Sequence, residues 1–295
     1  MIRKIIDGFG YPFSPEIFYT IRGSENVHIY LWICKDLGWI MNNKFIGIFF
    51  GLGAIIWILV LMKNYWGDKD WENVYFLLPT FLWLFGNYIW MFGNLIYSSD
   101  VFRFQASCIM MVGLITIVFY FAFLKKKYIL SSNMENIQKF ESNGLICKFK
   151  SIGSWKRYEF VHMFFWLLKD YCWCSQDKIM WLAGALPTIY ISIDLVLVSW
   201  NNNGLFIDFI HYLSQIIWIS SNITWAFSEL FFIDSDSAPN LSNNSDITGR
   251  YIATWLLLGS WIPIVILYLL WLPLTIFKKL NNSNNFDNFN KFDSL

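Results

Sequence analysis

Charged residues are scarce in this chain of 295 residues, and their scarcity excludes several classes of protein. Asp, Glu, Lys and Arg make up 15% of the sequence, whereas an ordinary soluble domain has roughly 25%. The formal net charge of +1 supplies no field that would attract DNA or RNA, so we predict no nucleic-acid partner. Intrinsic disorder and a coiled coil are excluded as the main description by the same composition.

The motifs of soluble enzymes are also missing. The chain has five Cys and no Cys-x-x-Cys pair, which argues against a disulfide scaffold. No Walker A loop, HExxH, GxSxG or dinucleotide fingerprint is present. We therefore predict that the chain is not an enzyme and has no cofactor and no resident metal. The three His (His28, His162 and His211) leave a haem or metal site as the lowest-ranked alternative.

Apolar side chains are abundant instead. Hydrophobic residues make up 56% of the chain and aromatic residues 21%, which is more than one soluble core can bury, so the sequence predicts an all-α polytopic membrane protein. A helix that crosses a bilayer needs roughly 17–25 residues. Six apolar runs meet that length, at 45–64, 74–97, 104–124, 179–200, 205–232 and 251–277.

Two shorter runs, 27–41 and 160–174, each contain a Lys-Asp pair, and hydropathy alone does not decide whether they cross. Basic residues cluster before the first run, after residue 124 and after residue 277, and such clusters tend to remain in the cytoplasm. All three clusters share one side only if each half crosses an even number of times. We therefore predict eight transmembrane helices, with both termini in the cytoplasm of a membrane that the sequence does not identify.

An internal repeat is the strongest pattern in the sequence. The motif Val-His-x3-Trp-x2-Lys-Asp-x2-Trp begins at Val27 and recurs at Val161, so that His28 corresponds to His162 at an offset of 134. The offset becomes 135 where Trp83 corresponds to Trp218. Trp is rare in most proteins, so several aligned Trp beside an aligned Lys-Asp pair indicate a duplication. Four spans per half imply parallel repeats related by an axis along the membrane normal.

The duplication sets the predicted domain boundaries. We expect four-helix repeats joined by a basic cytoplasmic linker, between an N-terminal cytoplasmic segment and a disordered tail. In chain order these five regions are 1–25, 26–124, 125–157, 158–277 and 278–295.

The repeated motif places charged residues on one helix face. Residues 28, 32, 35 and 39 are spaced by four, three and four, so His28, Trp32 and Lys35 share a stripe. Neighbouring residues on a helix do not face each other. We therefore expect the ion pairs to cross between the halves, linking Lys35 with Asp170 and Asp36 with Lys169.

The third helix of each half carries a second polar motif. Asn87, Trp90 and Asn94 share one face in the first half. In the second half Asn222, Trp225 and Glu229 occupy the corresponding positions. Asn side chains form hydrogen bonds between membrane helices, so these motifs serve either as helix contacts or as part of a site.

Ionisable residues are concentrated in the second half. Asp194 corresponds to Val60, His211 to Phe76 and Glu229 to Asn94. A carboxylate inside an apolar span is costly and therefore points to a function. We predict that Asp194, His211 and Glu229 bind a proton or an ion.

Two functional hypotheses remain open. The first is a channel or transporter for protons, small ions or a small polar solute, with its path between the halves and the four Lys-Asp residues as its central layer. The alternative is a non-transporting membrane sensor, scaffold or assembly protein in which that layer is structural. The lipid bilayer is a partner in both hypotheses, and the oligomeric state stays open.

Overall fold

The computed structural model describes residues 21–124, 155–201, 206–232, 249–271 and 273. Over these residues the secondary structure is helical, which confirms the predicted all-α class. Eight helical segments can be counted among the described residues, and the connections that the structure describes are short turns.

The first four segments are α1 (Ile21–Ile40), α2 (Lys44–Gly67), α3 (Trp71–Tyr97) and α4 (Arg103–Phe119), which continues as a π-helical turn over Tyr120–Leu124. The next three are α5 (Trp155–Ser175), α6 (Lys178–Asn201) and α7 (Phe206–Phe231). The eighth consists of α8 (Gly249–Gly259) and α9 (Trp261–Val265), joined at Ser260, followed by a second π-helical stretch over Ile266–Trp271.

Five of the described helices are long and apolar enough to cross a membrane, which suggests an integral membrane protein. These are Lys44–Gly67, Trp71–Tyr97, Arg103–Leu124, Lys178–Trp200 and Gly249–Leu269. Several of them expose large apolar side chains along one side, including Phe49 and Ile56 on α2 and Leu186 and Ile193 on α6. Exposing such faces to lipid costs little free energy, whereas exposing them to water is unfavourable.

The two runs that were ambiguous in the sequence become full-length helices. α1 has 20 residues and α5 has 21, so each is about 30 Å long at 1.5 Å per residue. Their N-terminal turns extend beyond the apolar runs into polar sequence. Both helices carry a Lys-Asp pair, which lowers their hydropathy although most of their described side chains are buried or half-buried.

The turns after α1 and α5 have the same construction. The residue that reverses the chain has positive φ in both, 54° at Asn42 and 61° at Gln176. The next residue then caps the following helix, since Asn43 Oδ1 accepts from the Ile46 amide and Asp177 Oδ1 from the Met180 amide, each at 3.1 Å. Asn and Asp are favoured at this capping position because their side chains satisfy an amide at the start of the helix.

Each helical segment packs against the next along the chain, and α8 packs against α1, so the packing order is closed. One hydrophobic core draws on all eight segments. Close contacts between helices depend on glycine at several positions. A methyl group at Gly51 would lie 2.5 Å from the Tyr88 ring on α3, and one at Gly38 would lie 2.2 Å from the Gly47 amide nitrogen.

Several predicted regions lie outside the described residues. They are most of the N-terminal segment, most of the basic linker and the tail at 278–295.

Candidate functional site

Four Trp side chains from four helices meet between α1 and α5. All six pairs of ring centroids lie between 4.8 and 6.4 Å apart, the range of favourable aromatic contact. We call these side chains the first Trp cluster: Trp32, Trp83, Trp166 and Trp218.

Two turns further along the same helices, four more Trp form a second Trp cluster: Trp39, Trp90, Trp173 and Trp225. Four edge-to-face contacts close it into a ring, with centroid distances of 4.9, 5.0, 5.1 and 5.2 Å. Both clusters occur in the same order along α1, α3, α5 and α7. These four helices therefore run in one direction.

The charged layer lies between the two Trp clusters and consists of Lys35, Asp36, Lys169 and Asp170. Lys35 is 1% exposed and Lys169 0%. Each Lys pairs with the Asp that follows it on its own helix. The predicted crossed ion pairs are therefore wrong. The flexible four-carbon stem of Lys lets the ammonium fold back to a neighbouring carboxylate that a short side chain could not reach.

The connection across the molecule is made by Trp instead. The Trp218 indole N–H donates to Asp36 Oδ2 at 2.8 Å, and Asn222 donates to the same oxygen at 3.2 Å. In the corresponding contact, Trp83 donates to Asp170 Oδ2 at 2.7 Å. Each carboxylate thus receives an ammonium on one oxygen and an indole from the other half on the second. A buried charge needs such complete satisfaction.

Two Arg side chains from α4 and α8 cap helices in the opposite half. Arg103 donates to the carbonyls of Trp173 and Cys174 at the end of α5, at 2.9 and 2.8 Å. Arg250 donates to the carbonyls of Trp39 and Ile40 at the end of α1, at 3.4 and 3.1 Å. A guanidinium satisfies the free carbonyls of a helix end and is attracted by the helix dipole.

A carboxylate borders the second Trp cluster on each side. Asp100, in the loop before α4, accepts from the indole of Trp90 at 3.1 Å and pairs with Arg103 at 2.8 Å. Partial burial works against the charged form. The hydrogen bond from Asn94 and the Arg103 charge nevertheless hold the pKa of the Asp100 carboxyl below its usual value, so it is ionised at neutral pH.

Glu229 has the equivalent place on the other side. It accepts from Trp173 at 2.9 Å and from Trp225 at 2.6 Å. Most of the third-helix motif residues therefore contact this end of the bundle. The two exceptions are Asn222, which donates to Asp36 in the charged layer, and Asn87, which donates to the Trp83 carbonyl within α3.

The three candidate ion-binding residues do not converge. His211 and Glu229 lie on one helix, about 27 Å apart along its axis at 1.5 Å per residue. Asp194 accepts at 2.7 Å from Tyr158, which belongs to a separate small hydrophobic cluster. Among the described residues no group of three His, Cys, Asp or Glu side chains could hold a metal ion.

All three His line one cavity of about 190 Å³ beside the first Trp cluster. His162 Nε2 lies 2.8 Å from Ser192 Oγ, and His211 Nε2 lies 2.5 Å from Tyr30 Oη. Trp32 and Trp166 form part of the wall. Among the described lining residues, His28, Asn73 and Glu159 are half-buried, so the cavity is least enclosed towards the N-terminal ends of α1, α3 and α5.

Sequence reasoning missed several of these residues. Arg103 and Arg250 align in the repeat, but nothing in the sequence shows that they cap the opposite half. Tyr30 and Ser192 carried no signal, because a single hydroxyl in an apolar helix is common.

Comparison with known proteins finds no match to a protein-family model, to a curated protein or to a solved structure.

Proposed function

We propose that this chain is a non-transporting, multi-pass membrane protein, a sensor or scaffold, in which the charged layer is structural. It would consist of two parallel four-helix repeats and cross the bilayer eight times, with both termini in the cytoplasm. The observation that carries the proposal is the pair of Trp clusters, which fill the space between α1 and α5 above and below the charged layer.

The matched contacts support two repeats. Residues related by the sequence offset make the same contact in opposite directions, as Trp83 to Asp170 and Trp218 to Asp36 do. Arg103 and Arg250 repeat this exchange at the helix ends. A two-fold axis between the halves would generate such reciprocal pairs, and parallel repeats with even numbers of spans have that axis along the membrane normal.

The chemistry of the charged layer supports a structural role. Both ammonium groups and both carboxylates have partners inside the protein, and the indoles packed against them exclude water. An ion or proton path needs groups that can exchange partners with water or with one another. A layer closed on both faces by aromatic rings favours a fixed packing arrangement.

A carrier is the second candidate, favoured by the cavity. The cavity extends from half-buried residues such as Asn73 and Glu159 to Trp32 and Trp166, and so would form one half of a path with the first Trp cluster as its gate. Buried charge beyond a gate is typical of ion-coupled transporters.

Flux in proteoliposomes separates the two. We expect the purified full chain to give no uptake of protons, Na⁺, K⁺ or Cl⁻ above protein-free liposomes, under an imposed membrane potential and over a range of pH. Uptake that is lost in the Lys35→Met/Lys169→Met variant, with helicity retained, would contradict the proposal and support the carrier or channel.

A further inference from the structure

Two buried polar atoms on the wall of the histidine-lined cavity lack hydrogen-bond partners among the described residues. They are Nδ1 of His28 and the indole Nε1 of Trp32. Their rings stack on each other, with centroids 4.2 Å apart. Trp32 is only 3% exposed, so solvent outside the protein does not satisfy its N–H. A buried polar group without a partner is unfavourable, and in native proteins it calls for an explanation.

The corresponding residues in the other half do have partners. Trp166, which corresponds to Trp32, donates its N–H to Asp170 Oδ2 at 3.1 Å. His162, which corresponds to His28, has its Nε2 2.8 Å from Ser192 Oγ, and its Nδ1 is not among the buried atoms without a partner. The two atoms without partners therefore fall on one side of the cavity only, where a bound molecule would complete them.

We propose that this cavity binds a small, uncharged organic molecule with a hydroxyl group. The indole N–H of Trp32 is only a donor, so the ligand must offer an acceptor. The imidazole Nδ1 of His28 accepts in the tautomer protonated at Nε2. One hydroxyl can accept from Trp32 and donate to His28. An ammonium group has no acceptor for the indole N–H, and a carboxylate has no proton to donate to the imidazole.

The rest of the wall selects against charge and favours an apolar body. None of the described lining residues is Lys or Arg, so an anion would find no counter-charge. The single carboxylate among them, Glu159, accepts from Tyr212, and an ammonium beside it would still leave the indole N–H without an acceptor. Phe76, Phe160 and Met163 supply apolar surface. An apolar cavity of roughly 150 Å³ admits a benzene ring, so about 190 Å³ suits one ring with a short chain.

Calorimetry on the full chain in lipid nanodiscs tests this with four probes of similar shape. They are 2-phenylethanol, ethylbenzene, phenethylamine and phenylacetate, and titration into empty nanodiscs corrects for partition into lipid. We expect 2-phenylethanol to bind, and the three others to bind at least about fivefold more weakly, because each leaves one or both atoms without a partner.

The matched variants are Trp32→Phe, His28→Phe and Trp90→Phe. Each of the first two variants removes one of the two polar atoms, and each should weaken the binding of 2-phenylethanol by about fivefold. Trp90→Phe makes the same chemical change in the second Trp cluster, away from the cavity, and should bind normally. The proposal is overturned if 2-phenylethanol releases no more heat than it does with empty nanodiscs, or if ethylbenzene or a charged probe binds as tightly as 2-phenylethanol. It is also overturned if both cavity variants bind 2-phenylethanol with the affinity of the wild type. Because binding alone is measured, the result does not depend on whether the bundle transports.

Discussion

Each carboxylate of the charged layer depends on an indole N–H from the other half of the chain. Asp36 accepts from Trp218, and Asp170 from Trp83, and both Asp are buried. A hydrogen bond to a buried charged group matters more than one at the surface, because water cannot replace it.

Replacing Trp83 or Trp218 by Phe should therefore destabilise the protein. Phe keeps most of the aromatic contact but removes the donor, which leaves a buried carboxylate oxygen under-satisfied at a cost of about 1–3 kcal/mol. Unfolding of the detergent-solubilised protein, followed by circular dichroism, measures the change. Trp90→Phe is the matched control, since its acceptor Asp100 has a side chain that is 51% exposed and can bind water. Equal effects at all three positions would contradict this account.

The sequence predicts which residues form the charged layer but not how they pair. Helical spacing places Lys35 and the two flanking Trp on one stripe, and all are buried as that stripe implies. The pairing prediction failed because spacing rules describe where Cα–Cβ bonds point, whereas Lys reaches a neighbour through a long flexible stem. The hydrogen bond from Trp218 to Asp36 also depends on how the helices pack, which the spacing of residues along one helix does not predict.

At the scale of helices, the two Arg caps tie each half to the end of a helix in the other. Without Arg250, the carbonyls of Trp39 and Ile40 would lose their charged donor. Without Arg103, the same would happen at Trp173 and Cys174. The effect of each Arg should therefore appear in the half that does not contain it.

Hydrogen exchange of Arg250→Met and Arg103→Met tests this reciprocity. Arg250→Met should speed exchange of the amides in the turn at 41–43, and Arg103→Met should speed exchange of the amides in the turn at 176–177. We expect an increase of about tenfold in each, because a hydrogen bond to a charged group is worth roughly 1.5 kcal/mol. Each variant is the control for the other. Faster exchange confined to the half that carries the substitution would show that the caps do not act across the molecule.

Hydropathy locates most of the helices well, and locates α1 and α5 poorly. The run predicted at 179–200 matches α6 almost residue for residue. In contrast, α5 begins at Trp155, before the run predicted at 160–174, because its first turn contains Lys156 and Arg157. Buried polar contacts stabilise α1 and α5, and a hydropathy window counts the same polar residues as unfavourable.

For the whole molecule, the proposed eight crossings require that α1 and α5 span the bilayer. The turns after them would then lie on the side opposite the N-terminus. Six crossings would instead leave the turn after α1 on the same side as the N-terminus, so the position of that turn distinguishes the two topologies.

Thiol labelling of intact cells measures the position of these turns. Met41 follows α1, Ser175 is the last residue of α5, and both are exposed. We expect Met41→Cys and Ser175→Cys to react with a membrane-impermeant maleimide, above the background of the native Cys, and Lys69→Cys to react only after permeabilisation. Protection of the Cys at 41 in intact cells, with labelling after permeabilisation, would contradict eight crossings.

The structural role of the charged layer is the central claim, and a double-mutant cycle at Lys35 and Asp36 tests it most directly. The variants are Lys35→Met, Asp36→Asn and the two combined, with unfolding free energy measured in detergent. Each single change leaves a buried group without its partner, so we expect Lys35→Met to cost about 3–5 kcal/mol and the combined variant to cost clearly less than the sum of the two. Single changes that leave stability intact, or effects that simply add, would contradict a structural ion pair.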